Sequence, residues 1–176
     1  MRWLDTALWR AGSCRLADMR AMLDTMIFDE LVADPPTLDR VRSLVEDGRL
    51  TILLTHIQRD QLARISDDDK RAKVLAIPAI QVNTRGLVFD TSRWDQADFG
   101  DDATNTAIDE IKNGGPQHAA DALIAATADG HADMLVTNDR RLANRVRRSP
   151  LSVRVVGYGE WVSLLMQPVQ RHDQHH

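Results

Sequence analysis

The sequence predicts an α/β fold with a mostly parallel sheet and helices on both faces, from three observations. Short apolar runs (Ala21 to Leu23, Leu50 to Thr55, Met134 to Thr137, Val153 to Val156) alternate with longer stretches at helical spacing. These runs are apolar nearly throughout, as strands covered on both faces are. Two of them stop at aspartate, Leu23-Asp24 and Thr137-Asn138-Asp139, just before a helical pattern begins. Strands alternating with helices in this way build a parallel sheet.

In chain order, residues 1–20 show neither a clean period of two nor a strong helical stripe, and read as an extension of uncertain structure. Leu4-Asp5-Thr6 echoes Leu23-Asp24-Thr25, but only the second copy leads into an apolar helical pattern, Ile27, Phe28, Leu31 and Val32. Asp34-Pro35-Pro36 then breaks the chain. Thr37 to Gly48 is a helix with Leu38, Val41, Leu44 and Val45 inward. After the strand at Leu50 to Thr55 comes a helix over His56 to Ile65. Ser66 is expected to cap the next helix, with Asp69 in its acidic first turn, and that helix stops before Pro78. Residues 79–100 have no clear period and read as a strand or edge segment, Leu87 to Phe89, plus loop around Trp94.

Ala103 to Lys112 is helical, and a further helix starts near Pro116 and ends at Gly130, with Ala122, Ile124, Ala125 and Ala128 buried. Val153 to Val156 is the last strand and Glu160 to Met166 the last helix. Residues 21–166 therefore form one domain, and 167–176 are a polar tail holding three of the six histidines.

With 176 residues and 43% hydrophobic content the chain can bury one substantial core. A net charge of -4 and a pI near 5.8 give no global attraction to nucleic acid, so any such binding needs a local basic patch. One cysteine, Cys14, excludes an internal disulfide and fits a reducing, cytoplasmic setting. No apolar run approaches the roughly 18 residues of a membrane span, so a protein without a membrane partner is expected. Neither dinucleotide nor phosphate-loop glycine motifs occur.

Asp24 ends one strand, Asp139 follows another, and Asp121 falls in the first turn of a helix between them. Ligands of open α/β sheets bind beyond the carboxyl ends of the strands. Three carboxylates delivered to that edge would repel one another without a cation. Magnesium or manganese suits such oxygen ligands and can activate water for attack on a phosphodiester. Aspartate is also common at strand ends and helix starts for its capping ability, so each residue alone has an ordinary structural role open to it. The arrangement of all three favours a site.

Three stretches together, Leu23-Asp24-Thr25, the run from His118 through Asp121-Ala122-Leu123-Ile124-Ala125-Ala126-Thr127-Ala128, and Leu135 to Leu142 with Thr137-Asn138-Asp139-Arg140-Arg141-Leu142, resemble the acidic motifs of PIN-domain nucleases. That family includes the VapC-like ribonuclease toxins of toxin-antitoxin pairs. The resemblance spans residues 21–166 and implies a three-layer α/β/α sandwich and a Mg2+- or Mn2+-dependent endoribonuclease. It implies metal-site roles for Asp24, Asp121 and Asp139, with Thr25, Thr137 and Asn138 supporting them by hydrogen bonds. A small antitoxin protein and a homodimer are implied by the resemblance alone.

One position departs from the family pattern. Where an acid is expected before a leucine in the helix after the second strand, this chain has Gln61-Leu62. An amide offers one oxygen and no charge. Asp60 is adjacent, but one residue along a helix turns a side chain by about 100°. A naturally weakened nuclease, an introduced acid-to-amide change, and compensation by Asp60, Asp29, Glu30 or Glu110 all remain open. Arg140, Arg141, Arg145, Arg147 and Arg148 follow Asp139 directly. They are candidates to hold an RNA backbone, or else a solvated helix face. His118 lies one helical turn before Asp121, and no histidine has zinc-site spacing.

The expected function is a metal-dependent, toxin-like endoribonuclease with Gln61 in its acidic set. The rival is a catalytically silent module of the same fold that binds RNA or a protein partner. A receiver-like phosphate-handling protein fits less well, since no suitable lysine follows a late strand.

Overall fold

The computed structural model describes residues 19–86, 88, 91, 92, 95–112 and 115–167. The expected extension lies outside these apart from its last two residues, as do the tail beyond residue 167, Leu87, Phe89 and Trp94.

Five strands form one parallel sheet: β1 (Met19–Leu23), β2 (Leu50–Thr55), β3 (Ile80–Val82), β6 (Met134–Val136) and β7 (Arg154–Val156), in the order β3-β2-β1-β6-β7. β1 is central, and the chain runs outward from it first to one side and then to the other. The change of direction falls between β1 and β6, where Leu23 is in register with Val136. That is the switch point beyond which a ligand crevice opens in folds of this kind.

Helices cover both faces, giving three layers. The alternation of β1 sorts its side chains: Met19, Ala21 and Leu23 face one core, and Met22 the other. The first core is filled from α1 (Thr25–Ala33), α2 (Pro35–Glu46), α3 (His56–Ala63), α4 (Asp68–Leu75) and α8 (Tyr158–Leu165) by Phe28, Leu31, Leu44, Leu62, Val74 and Trp161. The second is filled from α5 (Asp102–Lys112), α6 (Ala119–His131) and α7 (Arg140–Arg148). Here α6 contributes Ala122, Ala125, Ala126 and Ala128 beside Leu123 and Ile124.

Several boundaries differ from expectation for physical reasons. Pro35 and Pro36 open α2 instead of merely breaking the chain, because proline needs no N–H in a first turn. Asp34 serves both helices: its N–H bonds to Leu31 at the end of α1, and its carboxylate accepts from Thr37 N at 3.3 Å to start α2. The cap of α4 is Asp67, not Ser66; its carboxylate takes Lys70 N at 2.9 Å, leaving Asp68 and Asp69 in the first turn. Pro116–His118 form a 3-10 turn ahead of α6, and α6 runs one residue past Gly130.

The stretch without a clear period divides between the edge strand β3 and a separate parallel pair, β4 (Thr84–Arg85) with β5 (Ala97–Asp98). Gly86 follows β4 at φ 99°, and a Cβ there would stand 2.3 Å from Cδ1 of Ile108 in α5. Only glycine satisfies both demands. Among the described residues no helix is long and apolar enough to cross a membrane.

Candidate active site

β1 ends at Leu23, and Asp24 N still donates to Val136 O at 2.9 Å, so the Asp24 backbone is fixed by the neighbouring strand. Its side chain is fixed from two sides. Oδ1 accepts from Thr25 N at 2.7 Å, capping α1, while Oδ2 accepts from the Thr137 hydroxyl at 2.7 Å. The same Thr137 oxygen accepts from Asp139 N at 3.1 Å. One buried hydroxyl, 113 residues along the chain from Asp24, thus ties the first acid to the last. Asp139 is the N-cap of α7, and Oδ1 takes both Arg141 N at 2.7 Å and Leu142 N at 3.1 Å. The capping and site readings are therefore compatible for both residues, because the helix caps of Asp24 and Asp139 each fall on Oδ1.

Asp121 stands in the first turn of α6, as the sequence predicts. Its Oδ2 lies 3.3 Å from Arg145 Nη2 and 3.8 Å from His118 Nδ1. Burial is the main force raising its pKa above the usual carboxylate range; the negative charge of Asp24 adds to this, the Arg145 guanidinium opposes it, and Asp139 raises it further. Asp24 is raised as well, first by burial, against the bonds from Thr137 and Thr25, with a contribution from Asp139. Two neighbouring carboxyls that resist ionisation mark a concentration of negative charge in a partly dry place, the condition a cation relieves.

Gln61, on α3, accepts from the Thr25 hydroxyl at 2.5 Å. It reaches this position because α3 is anchored one turn earlier by Gln58, a residue absent from the expected site. Gln58 is fully buried; its Oε1 accepts from Thr55 N at 2.8 Å, and its amide nitrogen donates to Leu23 O at the end of β1. Thr55 and Gln58, in Thr-x-x-Gln form, carry the capping-box signature, so the signal was present in the sequence.

Asp24, Thr25, Gln61, Asp121, Asn138 and Asp139 line one cleft of about 680 Å3, and Arg140 and Arg141 stand on it as exposed side chains. Asn138 gives its amide to Glu30 Oε1 at 2.5 Å and accepts from Tyr158 N at 2.9 Å, which ties the end of β6 to α1 and α8 instead of bonding to Asp139. Arg145 is turned inward to Asp121, and Arg147 donates to Val155 O at 3.3 Å. Of the acids considered as substitutes at the Gln61 position, Asp29 lines the cleft and is paired with Lys70 at 3.0 Å. Glu30 is engaged by Asn138, Glu110 is exposed on α5, and Asp60 is not among the cleft-lining residues.

The donors in the cleft are carboxylate, amide and hydroxyl oxygens, which suit a hard divalent cation. Among the described residues, no three His, Cys, Asp or Glu side chains converge closely enough to enclose an ion by themselves. The set fits magnesium's habit of taking one or two carboxylates and filling the remaining positions with water and phosphate oxygens.

No protein-family model matches the sequence, and no curated protein matches it. Among solved structures the chain aligns with one from the crystal structure of VapBC2 from Rickettsia felis bound to a DNA fragment from their promoter, at 16% sequence identity and a TM-score of 0.43, over 79% of this chain and 98% of that one.

Proposed function

We propose that this chain is a divalent-metal-dependent endoribonuclease of the PIN type, with Asp24, Asp121 and Asp139 as its acids. The observation that carries the reading is that these three carboxylates, from three distant stretches, line one cleft at the switch point of a parallel sheet. The resemblance of the three acidic motifs supports it. Mg2+ or Mn2+, when bound, would supply charge neutralisation at the phosphodiester and a more acidic water. The chain's own residues do the rest. Thr137 holds Asp24 and the backbone of Asp139 in one geometry, and Thr25 holds Gln61 over the cleft. Arg140 and Arg141 offer exposed cations at the rim for backbone phosphates, which position a polynucleotide without reading its bases. A toxin-like role with a small antitoxin, a homodimer, a cytoplasmic location and a single domain over residues 21–166 belong to the same proposal.

The test is cleavage of a mixed-sequence RNA pool in Mn2+, with and without chelator, by the unmodified chain and by Gln61→Glu. Chelator-sensitive cutting by either supports the reading, and cutting by the glutamate form alone makes Gln61 the disarming residue. Silence from both overturns the nuclease. A second reading, a silent module that binds RNA or a protein, is favoured by one observation: Gln61 places a neutral amide, already engaged by Thr25, where an acid would complete the set. Tight RNA binding without metal would select it.

A further inference from the structure

The Asp121 carboxylate already has a cation beside it, supplied by the chain itself. Arg145 Nη2 lies 3.3 Å from Asp121 Oδ2, with the two side chains 21% and 33% exposed. Asp24 and Asp139 act on Asp121 with like charge, and His118 approaches from the turn before α6. A guanidinium grips a carboxylate best as a two-pronged fork. Here one prong makes the contact, and Arg145 Nε is buried without a hydrogen-bond partner. The charge of Arg145 is thus committed to Asp121 through one nitrogen, the weaker of the two ways a guanidinium can hold a carboxylate, and the contact faces the cleft that Asp121 lines.

We propose that Arg145 is the internal counter-ion of the cleft: it neutralises Asp121 while no divalent cation is bound and yields that carboxylate when one binds. The inference rests on the metal reading above and gives Arg145 a positioning role instead of the RNA contact expected from the run of arginines. The guanidinium and the divalent ion compete for one oxygen and repel each other. Removing the guanidinium charge therefore tightens divalent binding, by the reciprocity that governs any two coupled ligands.

The test measures Mn2+ affinity of the full chain, by the electron paramagnetic signal of free Mn2+, alongside thermal unfolding. The unmodified chain is compared with Arg145→Gln, Arg145→Met and the charge-conserving Arg145→Lys. Either neutral variant suffices, and each is expected to bind Mn2+ about tenfold more tightly. Each also has a lower Tm without metal, and saturating Mn2+ closes the gap. The lysine variant stays within about twofold of the unmodified chain. Equal Mn2+ affinity in neutral and unmodified chains, with a Tm loss that Mn2+ does not repair, would make Arg145 a packing residue and overturn the proposal while leaving the metal site standing. Absence of Mn2+ binding in every form would overturn the metal reading and this inference with it.

Discussion

The two faces of the sheet are built from different materials. One is packed with large side chains, Phe28, Leu31, Leu44 and Trp161 among them, from helices on either side of the central strands. On the other face α6 presents mostly alanine, with Ala122, Ala125, Ala126 and Ala128 buried against Leu135 and its neighbours. Bulky packing yields most of the burial energy, whereas small residues let a helix lie close to what it covers. The close helix is also the one that carries Asp121 in its first turn. Both faces bury large side chains, Ile108, Ile111, Leu123 and Leu142 on the second among them, and what sets the second apart is the run of alanines on the helix that carries Asp121.

The largest expected effect breaks the first face. Phe28→Ala removes a ring that is 1% exposed and should cost about 3 to 5 kcal/mol in urea unfolding. Mn2+ affinity per folded molecule should stay unchanged, because the ring lies in the core across the sheet from α6. A smaller effect comes from overfilling the second face. Ala125→Leu should cost about 1 to 3 kcal/mol and, unlike the first change, weaken Mn2+ binding as α6 is pushed outward. Equal loss of Mn2+ binding per folded molecule in both variants would erase the distinction.

The smallest effect is a pH dependence. Asp24 and Asp121 have folded-state pKa values above the unfolded value of 3.8, so the native state holds its protons more tightly. Their stabilising contribution is complete below the unfolded value and is lost as pH rises through the raised folded values. Between these limits the Tm of the metal-free chain should gain from acid at these two positions, and saturating Mn2+ near neutral pH should restore what ionisation removes. A Tm response to pH that is identical in Asp24→Asn would show that burial of Asp24 has no such cost.

What could be read from the sequence follows the same division. Asp24 and Asp139 were legible because a short apolar run stopped by aspartate, with a helical pattern directly after it, marks the carboxyl end of a parallel strand. Asp121 was legible through the alanine pattern behind it. Gln58 was half legible: the Thr-x-x-Gln spacing marks it as the partner of Thr55 in a capping box, but no local pattern shows that its amide also reaches Leu23 O at the end of another strand. Arg145 read as one of five arginines open either to an RNA backbone or to solvent, since helical spacing alone does not tell which of them meets Asp121 across the packing of two helices. The β4–β5 pair was hidden on different grounds: strands of two residues carry too little periodicity to detect.

The order of the strands has a consequence for how the chain is made. β1 and one of its two neighbours, β6, lie more than a hundred residues apart in the chain, so the bond from Thr137 to Asp24 spans 113 positions. Pairings this distant form late, after the loop between them has closed. A nascent chain on the ribosome thus carries Asp24 and Gln61 long before Asp121 and Asp139 exist to join them. A cleft lined by all three carboxylates is therefore complete only once the chain beyond Asp139 has been made and has paired with β1.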